Sequence, residues 1–107
     1  QKIYTKWFDY GIIKSSLYIR TRQAGDTIVI DEKGHQKKLK NWFVDEKIPK
    51  EVRDSQLLLA ENNAILWVLG HRMSQAYQVK QSTKWILQIE VETYKSDGGK
   101  ENGRNNS

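Results

Sequence analysis

A chain of 107 residues with a formal net charge of +5 and no cysteine can build one compact core, and it excludes disulfide frameworks, thiol chemistry and cysteine-held zinc. The same absence of cysteine permits a cytosolic compartment. A sequence pI near 9.5 favours an anionic partner such as RNA, DNA or an acidic surface, whereas apolar runs such as Ala64 to Leu69 are far too short to cross a bilayer and no signal-peptide pattern is visible, so a soluble protein with no membrane partner is expected. Gln1 leads almost directly into strand-like sequence, and excision from a longer protein is expected.

In chain order, Ile3 to Tyr10 is rich in aromatic and β-branched residues and predicts a strand closed by Gly11. Leu17 to Arg22 has a period of two, which puts Leu17 and Ile19 on one face and Tyr18, Arg20 and Arg22 on the other. Ala24-Gly25-Asp26 predicts a turn into a short β-branched strand, Thr27 to Ile30, able to pair with the Leu17–Arg22 run. Leu39, Trp42 and Phe43 then fall at i, i+3 and i+4 of a helix predicted to begin near Lys37, with Lys37, Lys38 and Lys40 left in water. That helix must stop before Pro49, which opens a one-turn helix over Lys50 to Arg53.

Leu57 to Ala60 and Ile65 to Leu69 flank Glu61-Asn62-Asn63, a tight connection between two strands whose near-continuous hydrophobicity predicts central positions. Lys84 to Glu92 alternates, with Trp85, Leu87, Ile89 and Val91 opposite Lys84, Gln88, Glu90 and Glu92. From Ser96 to Ser107 there is nothing to bury, so a disordered tail is expected over 96–107 and one domain over 1–95. The predicted class is α+β: a short-stranded, mostly antiparallel or mixed sheet with one or two short helices.

Groups suited to catalysis are sparse. His35 and His71 share no metal-ligand spacing, no phosphate-binding glycine loop occurs, and Gly98-Gly99 is isolated in the tail, so no catalytic, cofactor-binding or metal residues are expected in this fragment. Asp45, Glu46, Asp54 and Glu61 read as surface solvation and helix-end charges. Trp42, Trp67 and Trp85 read as core anchors and Trp7 is ambiguous, while Tyr18 is the better exposed aromatic. A small basic nuclease using both histidines and a carboxylate has no spacing to support it.

Three ordered blocks carry a resemblance: Arg20-Thr21-Arg22-Gln23-Ala24-Gly25-Asp26; Lys37-Lys38-Leu39-Lys40 followed by Phe43, Asp45, Lys47-Ile48-Pro49 and Arg53; and Ile65 through Ser74 with Tyr77 and Val79. Over residues 17–79 the chain resembles the C-terminal domain of the bacterial tRNA(Ile)-lysidine synthetase family, TilS. Ala24 and Leu69 depart from it, standing where the family often has proline.

The resemblance implies a cytoplasmic enzyme that uses ATP, with Mg, and lysine to convert the wobble cytidine of tRNA(Ile) to lysidine. The chemistry would lie in an N-terminal ATP-pyrophosphatase domain whose Ser-Gly-Gly-x-Asp-Ser loop is missing from this sequence. It also implies a PheT/TilS-type fold, shared with the phenylalanyl-tRNA synthetase β chain, that holds the tRNA by its acceptor stem. Lys37, Lys38, Lys40 and Lys47 would then make point-charge phosphate contacts, and Arg20, Arg22, Arg53 and Arg72 would supply bidentate forks. Arg53 has a second reading as a fold brace through a salt bridge beside Asp54. The competing class is a structural or homodimerisation module whose edge strands pair with another copy or with the rest of the enzyme.

Overall fold

The chain is seen as a computed structural model that describes residues 2–94; the expected tail lies outside the described residues. Strand β1 (Lys2–Asp9) runs into a single 3-10 turn, Tyr10–Ile12, and pairs antiparallel with β8 (Ile86–Thr93) along its whole length, forming a separate two-stranded ribbon. Six further strands make the main sheet: β2 (Leu17–Arg20), β3 (Thr27–Val29), β4 (Gln36–Lys38), β5 (Leu58–Glu61), β6 (Ala64–Val68) and β7 (Arg72–Met73). Their order is β2-β5-β6-β3-β4, with β7 added to β6. The β3–β6 pairing is parallel and the rest antiparallel, so the sheet is mixed. Helices α1 (Leu39–Asp45) and α2 (Lys50–Arg53) complete the α+β fold.

The hairpin of β5 and β6 lies at the centre because it is apolar on both faces, and each face is covered by a different layer. Leu58, Ala60, Ile65 and Val68 pack with Ile28, Leu39, Trp42, Phe43 and Ile48 under the helices. Leu59, Leu66 and Trp67 pack with Phe8, Tyr77, Leu87, Ile89 and Val91 under the ribbon. A bulge makes this division possible: Leu59 faces Trp67 but Ala60 faces Ile65, so Leu66 is the extra residue and joins Trp67 on the ribbon side.

Three expectations are corrected. The Leu17 and Thr27 runs do not pair with each other; β2 takes the free edge of β5, and β3 lies between β6 and β4. Lys37 and Lys38 are in strand β4 rather than a helix, because the turn after β3, closed by Ile30 N–H on the His35 carbonyl, brings them back alongside β3. The helix therefore starts at Leu39. Trp85 is 71% exposed rather than a core anchor, since it stands just beyond the last ribbon pair, Asp9 with Ile86, where no core lies beneath it.

Helix α1 ends without glycine. Lys47 adopts φ +59°, while its N–H donates to Val44 O and the Ile48 N–H donates to Phe43 O, the double bond pattern of a Schellman cap. Ile48 is thereby turned into the core against Phe43, and the Pro49 corner follows.

Candidate nucleic-acid interface

The segment between β2 and β3 is built around Asp26, which is only 4% exposed. Arg20 grips both carboxylate oxygens at 2.8 and 2.9 Å and also donates to the Thr21 and Asn62 carbonyls at 2.9 and 2.7 Å. The Gln23 N–H and the Asn63 amide add donors at 2.8 and 2.9 Å. Burial alone would raise the Asp26 carboxyl pKa; these donors and the guanidinium charge reverse that and hold it below the ordinary carboxylate value. Gly25, at φ +89°, supplies the left-handed residue the turn needs. The Asp26 carbonyl in turn accepts the Leu39 N–H at 2.9 Å, which fixes the start of α1 against the loop.

This knot forms one wall of an open groove of about 480 Å³, lined by Arg22, Gln23, Gly25, Lys38, Lys40 and Asp54 among others. Lys38 and Lys40 are exposed and make no ion pair among the described residues. Arg22 is held across the groove by Asp54 at 2.9 Å, with its guanidinium carbon 5.7 Å from the centroid of the Phe43 ring. Such a surface, two free ammonium groups and a positioned, partly exposed guanidinium on a rigid frame, can take anionic oxygens of a phosphate backbone.

The other cations named from sequence are placed differently. Lys37 points from β4 to the carboxylate of Asp45 and is ion-paired there. Arg20 is committed to Asp26. Arg53 does brace the fold, but through a 2.8 Å bond from Nε to the Ile48 carbonyl across the Pro49 corner, while Asp54 pairs with Arg22. Arg72 donates to the Ile30 carbonyl at 2.7 Å and ties β7 to the end of β3. Lys47 is exposed on the cap of α1. None of Lys47, Arg53 and Arg72 lines the groove.

Glu61 is a further correction, since it is buried rather than a surface carboxylate. It accepts the Tyr77 hydroxyl at 2.8 Å and the Ser15 N–H at 2.7 Å, and these with Lys14 outweigh burial to keep its pKa low. Burial and then Glu61 push the Tyr77 hydroxyl well above the ordinary tyrosine range. The amides of Gln23, Asn62 and Asn63, beside the groove, were missed from sequence; only the clustering of Asn62-Asn63 in a turn hinted at them. Among the described residues no three His, Asp or Glu side chains gather as a metal site, and no helix is long and apolar enough to cross a membrane.

Residues 17–91 match the family model of the TilS substrate C-terminal domain. The chain belongs to that family. Among curated relatives of this TilS C-terminal domain, the tRNA(Ile)-lysidine synthase of Caldanaerobacter subterraneus subsp. tengcongensis is 42% identical over 81% of the chain, and that of Clostridium tetani is 38% identical over 94%. The chain spans about a fifth of the length of those relatives, 19% and 20%. A solved structure described as the crystal structure of the TilS C-terminal domain superposes with a TM-score of 0.62 at 32% identity, covering 83% of this chain and 72% of that one.

Proposed function

We propose that this TilS C-terminal domain is the tRNA-holding part of a tRNA(Ile)-lysidine synthase, the cytoplasmic ligase that uses ATP, with Mg, and lysine to convert a wobble cytidine to lysidine. Its catalytic N-terminal domain would belong to the same longer chain, and this domain would contribute no reacting group. The carrying observation is the groove in which Lys38 and Lys40 have no acidic partner among the described residues, beside a positioned Arg22. An A-form acceptor stem hides its base edges in a deep, narrow major groove, so a protein recognises it through phosphates, 2′-hydroxyls and shape. Ammonium groups on a rigid frame suit that task.

The test is binding of labelled tRNA(Ile) at several salt concentrations to wild type and to a Lys38→Ala/Lys40→Ala variant. Each phosphate that the variant no longer neutralises should reduce the slope of log affinity against log salt by about 0.7–0.9. Full retention of the wild-type slope refutes the groove as the phosphate site. An equal weakening on Lys37→Ala would show that its pairing with Asp45 opens on binding.

The outer face of the ribbon favours a second, compatible role. Trp7 and Ile86 are exposed there at one end of the β1–β8 pair, and Tyr10 and Trp85 are exposed just beyond that end, suited to packing against the rest of the enzyme or against another copy. Light scattering of the chain across a concentration series, repeated with Trp85→Ser, tests the second-copy arm. A mass independent of concentration removes it.

A further inference from the structure

Next to the basic groove, and sharing Gln23 with it, lies a second open groove of about 550 Å³ lined by Tyr18, Ile19, Arg20, Gln23, Asn62 and Asn63. Its chemistry differs. Arg20 is neutralised by Asp26, so the groove offers an aromatic and amides rather than free charge. Tyr18 lies opposite Ala60 on the helix side of edge strand β2, where the short helices no longer cover the sheet, and it is 61% exposed. The Gln23 side chain makes no hydrogen bond among the described residues. Asn62 uses its amide nitrogen on Ser15, and Asn63 uses its own on Ala24 and Asp26, which leaves both side-chain Oδ1 atoms as acceptors.

We propose that this groove is a site for an unpaired nucleobase, one at the end of the RNA strand whose phosphates lie along Arg22, Lys38 and Lys40. The Tyr18 ring is the stacking platform, and the side-chain amide oxygens of Asn62, Asn63 and Gln23 accept from an exocyclic amino group. An amino-bearing base, adenine, cytosine or guanine, is therefore preferred to uracil. The occupant follows from continuity: Gln23 belongs to both grooves, so a strand leaving the phosphate site enters the aromatic one. Every base has a π-face for the tyrosine, whereas a paired base would have its edge hidden. The proposal rests on the basic-groove reading for its approach and extends it from phosphates to a base.

The experiment compares a blunt RNA hairpin with the same hairpin carrying a short single-stranded 3′ extension of A and C, or of U alone, using fluorescence anisotropy with the full 107-residue chain. The A/C extension should tighten binding by about tenfold, and Tyr18→Ala should abolish that gain while leaving the blunt hairpin unchanged. Tyr18→Phe should keep it. Equal affinity for blunt and extended hairpins, or equal weakening of both by Tyr18→Ala, overturns the proposal, and equal affinity for the two extensions overturns the role of the amides. Failure of the basic groove is recognised separately, as blunt binding insensitive to salt and to Lys38→Ala/Lys40→Ala. In that event a single-stranded oligonucleotide carrying 2-aminopurine decides: quenching that Tyr18→Ala removes supports the base site, and no quenching overturns it. Equal urea midpoints for the variants and wild type confirm that folding is intact.

Discussion

Replacing Arg20 by alanine removes the cation from a buried carboxylate, and the size of the loss can be worked from its bonds. The guanidinium makes two bonds to Asp26 and one each to the Thr21 and Asn62 carbonyls, all between 2.7 and 2.9 Å. Removing one partner of a buried pair costs about 3–5 kcal/mol, and the lower end applies because Asp26 keeps the Gln23 N–H and the Asn63 amide. A loss of about 3 kcal/mol is a large part of a total near 5–15 kcal/mol, and it lowers the melting temperature by roughly 15 °C for a domain of this size. The Asp26 carboxyl is held below its ordinary value in the folded protein, so the unfolded chain takes up its proton first as pH falls. Its stabilisation is complete above the unfolded pKa, about 3.9, and is lost as pH drops through the lower folded value. In Arg20→Ala burial persists with fewer donors, the carboxyl rises, and this acid-dependent stability disappears. Urea unfolding followed by the fluorescence of buried Trp42 and Trp67 should therefore show a gap between wild type and variant that is largest at neutral pH and narrows toward pH 3 or so. A gap below about 1 kcal/mol at neutral pH, the scale of an exposed ion pair, or one that does not change with pH, refutes the reasoning.

Three further outcomes follow from the geometry. Lys47→Gly should stabilise the domain by about 1 kcal/mol in urea, since it relieves a side chain held at φ +59° without disturbing the cap bonds. Tyr77→Phe should cost about 1.5–3 kcal/mol, the value of a bond to a charged acceptor, and alkaline spectrophotometric titration of wild type should leave this tyrosine un-ionised until the protein unfolds. Trp85→Gln should change stability by less than about 0.5 kcal/mol, and iodide should quench the emission of Trp7 and Trp85 while sparing Trp42 and Trp67.

Features governed by local sequence were legible. The i, i+3, i+4 spacing of Leu39, Trp42 and Phe43 marked the buried face of α1, Pro49 marked the corner, and the apolar runs around Glu61-Asn62-Asn63 marked the central hairpin. What was misread depended on a partner distant in sequence. Lys37 and Lys38 fit a helical pattern as well as a strand, and only pairing with β3 decides between them. Trp85 keeps the alternation of Leu87, Ile89 and Val91, but burial also requires a layer beneath, and the ribbon ends one residue too soon. The groove was half legible. The pattern put Tyr18 and Arg20 on one face, as β2 does opposite Ala60 and Leu58, yet the carboxylate facing Arg20 becomes evident only once the turn at Gly25 closes.

That closure changes what the family-matching arginines mean. A guanidinium with four hydrogen bonds to its own fold has little left for a ligand; what Arg20 holds is Asp26 and, through the Asp26 carbonyl, the first turn of α1. Lys38 and Lys40 flank Leu39, the first residue of α1, and their position relative to Arg22 depends on the knot. The segment from Arg20 to Asp26 therefore specifies the frame, and the lysines beside it carry the charge. In a phosphate-reading surface this separation has a physical rationale. Flexible ammonium groups adapt to a backbone of fixed A-form spacing only if their Cα atoms do not move, and a largely buried, multiply bonded ion pair is a means of keeping them still. Substitutions in the frame should thus act through stability, while substitutions of the lysines should act through the salt dependence of binding.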